Sequence, residues 1–230
     1  MKHKLSFLVD QVFPGFFADV QRVQSSEANY AALLYHHLMI NKYLPTQVCT
    51  EMYTANLLKD GIRPDLVIFD EEIEGRFNYF KDCDRSQSNT PVKQAHLRCV
   101  IEIKGGSQQT ESGLAKYFKH DPLCEDLKSE PEKRKKTQNC ALAIDIEKLA
   151  MWADVFGTVE TGRDHIFLAL DMKSPKGPWP KHIRDAFGQY CAEHRVNMVY
   201  FAQGEDALWH YAPGRKPRII EVARRQKARV

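Results

Sequence analysis

Two carboxylates and one lysine occupy positions where charged side chains are costly. Asp65 opens the apolar run at residues 66–69, and Glu102 lies between two isoleucines near the end of a second apolar run. A carboxylate within a buried strand costs free energy unless it is paired or bound to a cation. Because side chains alternate along a strand, Lys104 points to the same face as Glu102. These residue types are those that bind a hard metal ion and stabilise developing negative charge.

Each of these residues also has an ordinary structural interpretation. Asp65 follows Pro64 and could be a turn residue. An isolated Glu-x-Lys triplet such as Glu102-Ile103-Lys104 is usually a salt bridge on an exposed strand. The triplet alone therefore predicts no catalysis, and the neighbouring elements decide between the two interpretations.

The flanking sequence predicts alternating helices and strands. Apolar clusters in residues 1–24 predict one or two short helices that pack on the main body, and a helix is predicted from Ser25 to about Tyr43. Strands are predicted at 47–53, 65–69, 97–104, 166–172 and 197–202, and helices at 139–155 and 181–193, with residues 108–119 compatible with a further helix. This order predicts an α/β fold with helices flanking a central mixed sheet.

The dipeptide Pro64-Asp65 before one apolar strand and the triplet Glu102-Ile103-Lys104 at the end of the next resemble the motif of the PD-(D/E)XK nuclease superfamily. The element order is also similar to that superfamily's core, which has a helix before three strands and a helix and a strand after them. The resemblance covers most of residues 25–202 in topology, but only the motif and its flanks in residues. It implies a restriction-endonuclease-like core (αβββαβ).

Such a site implies hydrolysis of phosphodiester bonds with Mg²⁺ or Mn²⁺, as one ion or two. Hard oxygen ligands select these ions, and Asp65 and Glu102 on adjacent strands can share one of them. The resemblance adds the backbone carbonyl of Ile103 as a further ligand. The metal would acidify a bound water, and Lys104 would orient that water or offset phosphate charge.

Three further residues are candidates for the site. In many members of the superfamily an acid on the first helix reaches the metal, and Glu27 is that acid here; the alternative is a helix N-terminal glutamate favoured by the helix dipole. Gln108 and Gln109 follow a glycine pair and could contact phosphate or metal-bound water, although an ordinary helix start also explains them. Asp145 is interpreted as decorating an amphipathic helix, and no histidine shows metal-ligand spacing.

Positive charge is concentrated in two segments, although the net charge is only +3. The run Lys133, Arg134, Lys135 and Lys136, and the basic residues within 224–229, could neutralise phosphates or simply be solvated. Aromatic residues lie close to basic residues at 76–81 and 116–119, where they could line a DNA groove or cover the core. We interpret the polar stretch 71–96 as an insert for target recognition, because long loops in compact domains are often functional.

The composition fits one soluble domain. Hydrophobic residues make up 43% and charged residues 27% of the 230 residues, so a core needs no disulfide support. The six cysteines include no CxxC pair, so no spacing matches a zinc site. This cysteine usage indicates a reducing cytoplasm. The N-terminal apolar run ends at Asp10, too early for a signal peptide, and no run approaches the roughly 18 apolar residues of a membrane span. We therefore expect a cytoplasmic protein without a membrane partner.

These features predict a metal-dependent DNA nuclease, an endonuclease in restriction, defence or repair. Its nuclease domain would span 25–212, between an N-terminal helical extension at 1–24 and a basic C-terminal tail at 213–230. Two alternatives stay open: a catalytically inactive nuclease-like module for DNA binding or assembly, and a nuclease that acts on RNA or branched DNA. Because one site cuts one strand, cleavage of both strands would favour a homodimer.

Overall fold

A computed structural model describes most of the chain. The ranges described are 4–21, 25–52, 63–69, 97–105, 141–156, 162–172 and 181–222. The insert at 71–96, the possible helix at 108–119 and the basic run at 133–136 lie outside these ranges.

Seven strands form one sheet whose spatial order follows the chain from β1 to β7. Strands β1, β2 and β3 are antiparallel neighbours, β3, β4 and β5 run parallel, and β6 and β7 return antiparallel. The strands are β1 (Val48–Thr50), β2 (Leu66–Phe69), β3 (Leu97–Gly105), β4 (Asp164–Asp171), β5 (Asn197–Ala202), β6 (Ala207–Tyr211) and β7 (Arg218–Glu221). The expectation of an α/β fold with a central mixed sheet is confirmed.

Helices cover both faces of this sheet. The N-terminal segment forms α1 (Leu5–Phe7), a π-helical turn (Leu8–Val12) and α2 (Phe13–Val20), followed by α3 (Glu27–Ile40). These helices pack on the face that carries Ile101, Ile103 and Leu168. Helices α4 (Ala141–Phe156) and α5 (Lys181–Glu193) cover the opposite face, which carries Val67, Val100 and Phe167. Parallel neighbours require such crossover connections. Before the next strand begins, the chain must return to the end of the sheet where the previous strand started.

The N-terminal helices pack on the main body, as predicted, and contribute to its core. Seven apolar side chains of this segment are fully buried: Leu8, Val9, Val12, Phe13, Phe16, Phe17 and Val20. The ring of Phe17 stacks on Phe201 of the central strand β5, with centroids 4.6 Å apart and planes 13° from parallel. Without this segment, α3 alone among the described helices would cover that face of the sheet.

The sheet is larger than the sequence predicted. Strands β6 and β7 were not expected, and β7 lies in the segment 213–230 that we interpreted as a tail. The prediction failed there because Arg218–Glu221 is an edge strand with three exposed residues of four, so it lacks the apolar alternation of a half-buried strand. The other strands fall within about two residues of prediction at most ends, and α5 and β5 have the predicted bounds.

No helix in the described ranges combines the length and the apolar character needed to cross a membrane.

We predict that Phe17→Ala destabilises the protein by about 3–5 kcal/mol, because it removes a fully buried aromatic ring and leaves a cavity against β5. Urea unfolding followed by circular dichroism measures this change. The matched control is Ile40→Ala in α3, whose side chain is 56% exposed and whose replacement should change stability by less than about 1 kcal/mol. Equal losses for the two variants would contradict the core role of the N-terminal helices.

Candidate functional site

The pairing of β2 with β3 brings the two predicted acids together. Leu66 pairs with Ile101 and Val67 with Val100, so the same register places Asp65 opposite Glu102. Both side chains then project from the face covered by α4 and α5, because side chains alternate along each strand. Directly opposed residues have Cβ atoms about 4.5–5.5 Å apart. This register therefore brings together the two acids that the sequence analysis expected on adjacent strands.

The backbone holds Asp65 at the start of β2. Its carbonyl oxygen accepts a hydrogen bond of 3.1 Å from the amide of Glu51. Its carboxylate atom Oδ2 accepts a hydrogen bond of 2.6 Å from the amide of Ile103 on β3. Asp65 is therefore more than a turn residue after Pro64, since its side chain is tied to the middle of the predicted triplet. The carbonyl of Ile103 stays a predicted ligand.

Lys104 is held by two acids at the end of β3. Its Nζ lies 2.8 Å from Oδ2 of Asp145 on α4 and 3.5 Å from Oε1 of Glu27 on α3. The side chain of Lys104 is only 14% exposed, so these charges are poorly screened by water. The lysine thus bridges helices from opposite faces of the sheet at the strand end where Glu102 lies.

Asp145 belongs to this cluster, and the sequence analysis missed its burial. It is 4% exposed rather than a surface decoration. Besides Lys104, it binds Lys148, whose Nζ donates a hydrogen bond of 2.8 Å to Oδ1. A signal was present in the sequence, since Asp145 precedes Leu149 by four residues and Trp152 by seven. That spacing places it on the buried stripe of the helix, where a carboxylate needs a partner.

Glu27 contacts the site at Lys104 and at the amide of Gly105 at the end of β3. It begins α3 directly after the cap residue Ser26, whose Oγ accepts from the amide of Asn29 at 3.4 Å. Its Oε1 also accepts a hydrogen bond of 3.3 Å from the amide of Gly105. The position in the first turn also agrees with the helix-dipole explanation. The structure therefore places Glu27 beside the lysine, and its role as a metal ligand stays a prediction.

Gly105 allows β3 to approach β4 closely where the site is built. A Cβ atom at this position would lie 2.5 Å from the carbonyl oxygen of Leu170. Any larger residue would push the end of β3 away from β4. Such a shift would displace the neighbouring Lys104 from its two acidic partners.

Burial and mutual repulsion disturb the ionisation of the acid pair. Burial, together with the charges of Glu27 and Asp145, raises the pKa of Asp65 to about 6, although the Ile103 amide opposes this shift. Burial and the charges of Asp65 and Asp145 raise the pKa of Glu102 to about 9. Burial is the largest cause of both shifts, and the neighbouring negative charges add to it.

The acidic neighbours also shift the pKa of Lys104. Burial by itself would lower the pKa of Lys104, but the charges of Asp145 and Glu27 outweigh it and hold the pKa above its usual range. Lys104 is therefore a cation at neutral pH. It can donate hydrogen bonds and offset negative charge, but it cannot act as a base there.

The donor chemistry of this cluster fits a hard divalent cation. Two opposed carboxylates with raised pKa values are compensated when a cation binds between them. Mg²⁺ is commonly bound through one or two carboxylates and keeps several waters. In the described part of the chain, no group of three or more His, Cys, Asp or Glu side chains is arranged to hold a metal. The fit therefore rests on Asp65 and Glu102.

The remaining predicted site residues lie outside the described ranges. They are Gln108, Gln109, Lys133, Arg134, Lys135 and Lys136. Their contacts with nucleic acid stay predictions.

No protein-family model matches this chain, and neither does any curated protein.

We predict that Glu102→Gln stabilises the metal-free protein, and that this gain grows as the pH rises. Glu102 has an ordinary pKa of 4.5 and a folded-state pKa of about 9. Between these values the folded state holds the proton more tightly than the unfolded state, so wild-type stability falls as the pH rises. The variant has no proton to lose. Its advantage should be near zero at pH 4.5 and on the order of 4 kcal/mol at pH 7.5.

Denaturant unfolding in EDTA at several pH values measures this difference. The control is Glu221→Gln, the same chemical change at an exposed position on β7. It should show no such pH-dependent gain. An advantage of Glu102→Gln that stays constant with pH would show that the acid is not protonated preferentially in the folded state.

Proposed function

We propose that this chain is a metal-dependent DNA nuclease of the PD-(D/E)XK type, an endonuclease that hydrolyses phosphodiester bonds with Mg²⁺ or Mn²⁺. The observation that carries the proposal is the placement of Asp65 opposite Glu102 on one face of the sheet, with Lys104 at the same strand end. A structural salt bridge would need one acid and one lysine. It would not need a second buried acid facing the first, because that arrangement costs stability.

The order of elements supports the same assignment. Elements α3, β1, β2, β3, α4 and β4 follow the αβββαβ order that the resemblance implies. In this interpretation the restriction-endonuclease-like core is extended by β5, β6 and β7 on one side. The helices α1 and α2 complete the cover of one sheet face.

Asp65 and Glu102 would hold the cation through their carboxylates, with the Ile103 carbonyl as a further predicted ligand. When bound, the metal supplies Lewis-acid chemistry, which lowers the pKa of a coordinated water and offsets charge on the phosphate. The Ile103 amide fixes the orientation of the Asp65 carboxylate through a 2.6 Å hydrogen bond. This contact means that the position of one acid depends on the strand that carries the other.

Lys104 would act on the phosphate or on the attacking water as a charged hydrogen-bond donor. Its pKa lies above the usual range, so it carries its proton at neutral pH. Asp145 and Glu27 limit the positions that Nζ can take. In this proposal Asp145 is a positioning residue, since it acts on the substrate only through the lysine.

One observation favours the alternative of an inactive DNA-binding or assembly module. The ammonium group of Lys104 lies against Asp145 at 2.8 Å and is thereby partly neutralised. An inactive module would bind DNA without metal-dependent cutting. Three further points are proposals from the sequence. They are the substrate (DNA, RNA or branched DNA), a homodimer, and a setting in restriction, defence or repair.

We predict that the purified protein cuts duplex DNA with Mg²⁺ or Mn²⁺, and that Asp65→Ala and Lys104→Ala each reduce the rate at least about 100-fold. The first removes a metal ligand, and the second removes the positive charge near the phosphate. Cutting of a supercoiled plasmid, followed on gels, measures the rate. Duplex DNA, single strands, junctions and RNA are compared as substrates in the same assay.

Two exposed residues of the same types are the controls. Asp154, whose side chain is 62% exposed, and Lys216, which precedes β7, are changed to alanine. Both variants should retain wild-type cutting. If Asp65→Ala and Lys104→Ala cut as fast as these controls, the assignment of the site is wrong.

We predict that Mn²⁺ raises the melting temperature of the wild-type protein but not that of the double variant Asp65→Asn/Glu102→Gln. A cation at about 100 times its dissociation constant stabilises the folded state by about 2.7 kcal/mol. For a chain of this size, that corresponds to a shift of roughly 5–10 °C. Differential scanning calorimetry without nucleic acid measures the shift independently of activity. Equal shifts for the two proteins would place the metal elsewhere.

A further inference from the structure

A row of side chains crosses the sheet from the proposed site to β6. Lys104 pairs with Ala169, Ala169 with Tyr200, and Tyr200 with Trp209. These four residues lie on the face covered by α4 and α5. Three strand spacings of about 4.8 Å place Trp209 roughly 14 Å from Lys104 along this row.

At the β6 end of this row, Arg184 of α5 is held over two aromatic rings. Its guanidinium carbon lies 4.1 Å from the ring centroid of Trp209 and 5.4 Å from that of Tyr200. Its Nε donates a hydrogen bond of 3.0 Å to the hydroxyl of Tyr211. Stacking and this hydrogen bond fix the plane of the guanidinium.

Arg184 has no carboxylate partner within ion-pair distance among the residues that the structure describes. The nearest acid in sequence, Asp185, accepts from the hydroxyl of Tyr211 at 2.8 Å and pairs with Lys181. Asp171, at the end of the intervening β4, is 3% exposed and accepts a hydrogen bond of 2.8 Å from the Tyr200 hydroxyl. The two acids near the row are thus engaged, and the terminal nitrogens of Arg184 keep their donors for another acceptor.

Gly188 allows this arrangement by letting α5 approach β6. A Cβ atom there would lie 2.2 Å from Cδ1 of Tyr211. The absence of a side chain brings α5 onto the ring whose hydroxyl holds Arg184. The guanidinium is therefore supported by helix packing as well as by its own contacts.

We propose that Arg184 binds a backbone phosphate of the DNA substrate several nucleotides from the phosphate that is cut. This inference rests on the proposed function and extends it to a second phosphate of the substrate. A planar guanidinium with two terminal nitrogens matches the geometry of phosphate oxygens. The separation of about 14 Å corresponds to about four base-pair steps of 3.4 Å. Ala169 and Tyr200 are buried, so the row gives the spacing of the two positions and not the path of the DNA. At that spacing, one duplex would span both the proposed cut phosphate and this contact.

The test measures binding of a short fluorescein-labelled DNA duplex in EDTA, by anisotropy, from about 50 to 200 mM salt. Arg184→Gln removes the charge, and Arg184→Lys keeps it without the planar fork. The control is Arg195→Gln, in the turn after α5, where the arginine is 55% exposed and pairs with Asp154. Circular dichroism and melting temperature establish that each variant is folded.

Arg184→Gln should weaken binding about tenfold and reduce the slope of log K against log salt by about 0.9, as expected for one lost phosphate contact. Arg184→Lys should weaken binding less and keep the wild-type slope. Arg195→Gln should behave as wild type. In the cutting assay, Arg184→Gln should raise KM and leave kcat within about twofold, because the contact is the same in ground and transition states.

The outcomes separate the two proposals. If wild type cuts DNA and folded Arg184→Gln keeps its affinity and salt slope, the phosphate contact is wrong while the proposed function stands. If Arg184→Gln does not fold, unchanged affinity of Arg184→Lys overturns the contact. If wild type neither binds nor cuts DNA, both proposals fail.

Discussion

The pairing of β2 with β3 places two acids opposite each other at one end of the sheet, and the surrounding residues must accommodate their charges. Asp65 and Glu102 lose hydration on folding, and the charges of neighbouring carboxylates raise both pKa values further. The Ile103 amide offsets part of this cost at Asp65. The rest would be offset by a cation, which is why the site favours function over stability of the metal-free protein.

The helices meet this constraint from both faces of the sheet. Helix α3 brings Glu27, and helix α4 brings Asp145, to the single lysine at the end of β3. Lys148 then shares Asp145 from within α4. Removing one partner from such a buried network leaves an uncompensated charge. The packing of α3 and α4 is therefore coupled to the position of Lys104.

The remaining strands widen the sheet beside this cluster. Strands β4, β5 and β6 carry the row from Lys104 to Trp209, and α5 holds Arg184 over its far end. A nuclease must bind a substrate longer than the bond it cuts, and its phosphate contacts set register on the duplex. The added strands β5 to β7 would serve this role in the proposed enzyme, while the core near β3 would carry the chemistry.

The sequence alone determined the local features of the fold. Apolar runs of the right length predicted β2, β3 and β5, and helical spacing predicted α3, α4 and α5, because these patterns arise from residues close in the chain. The opposed acids also followed from the motif and its resemblance to a nuclease superfamily. The edge strand β7 was missed, since its exposed residues carry no period that distinguishes strand from loop.

Only the tertiary structure decided which distant residues share the site. Asp145 is 41 positions from Lys104 in the chain, and its burial depends on how α4 docks on β3. The sequence predicted that the N-terminal helices pack on the main body, but only the structure shows that Phe17 stacks on Phe201 of β5. The same applies to Arg184 over Trp209. Local patterns fix an element and its apolar face, whereas contacts between elements depend on sheet order and register, which no short segment specifies.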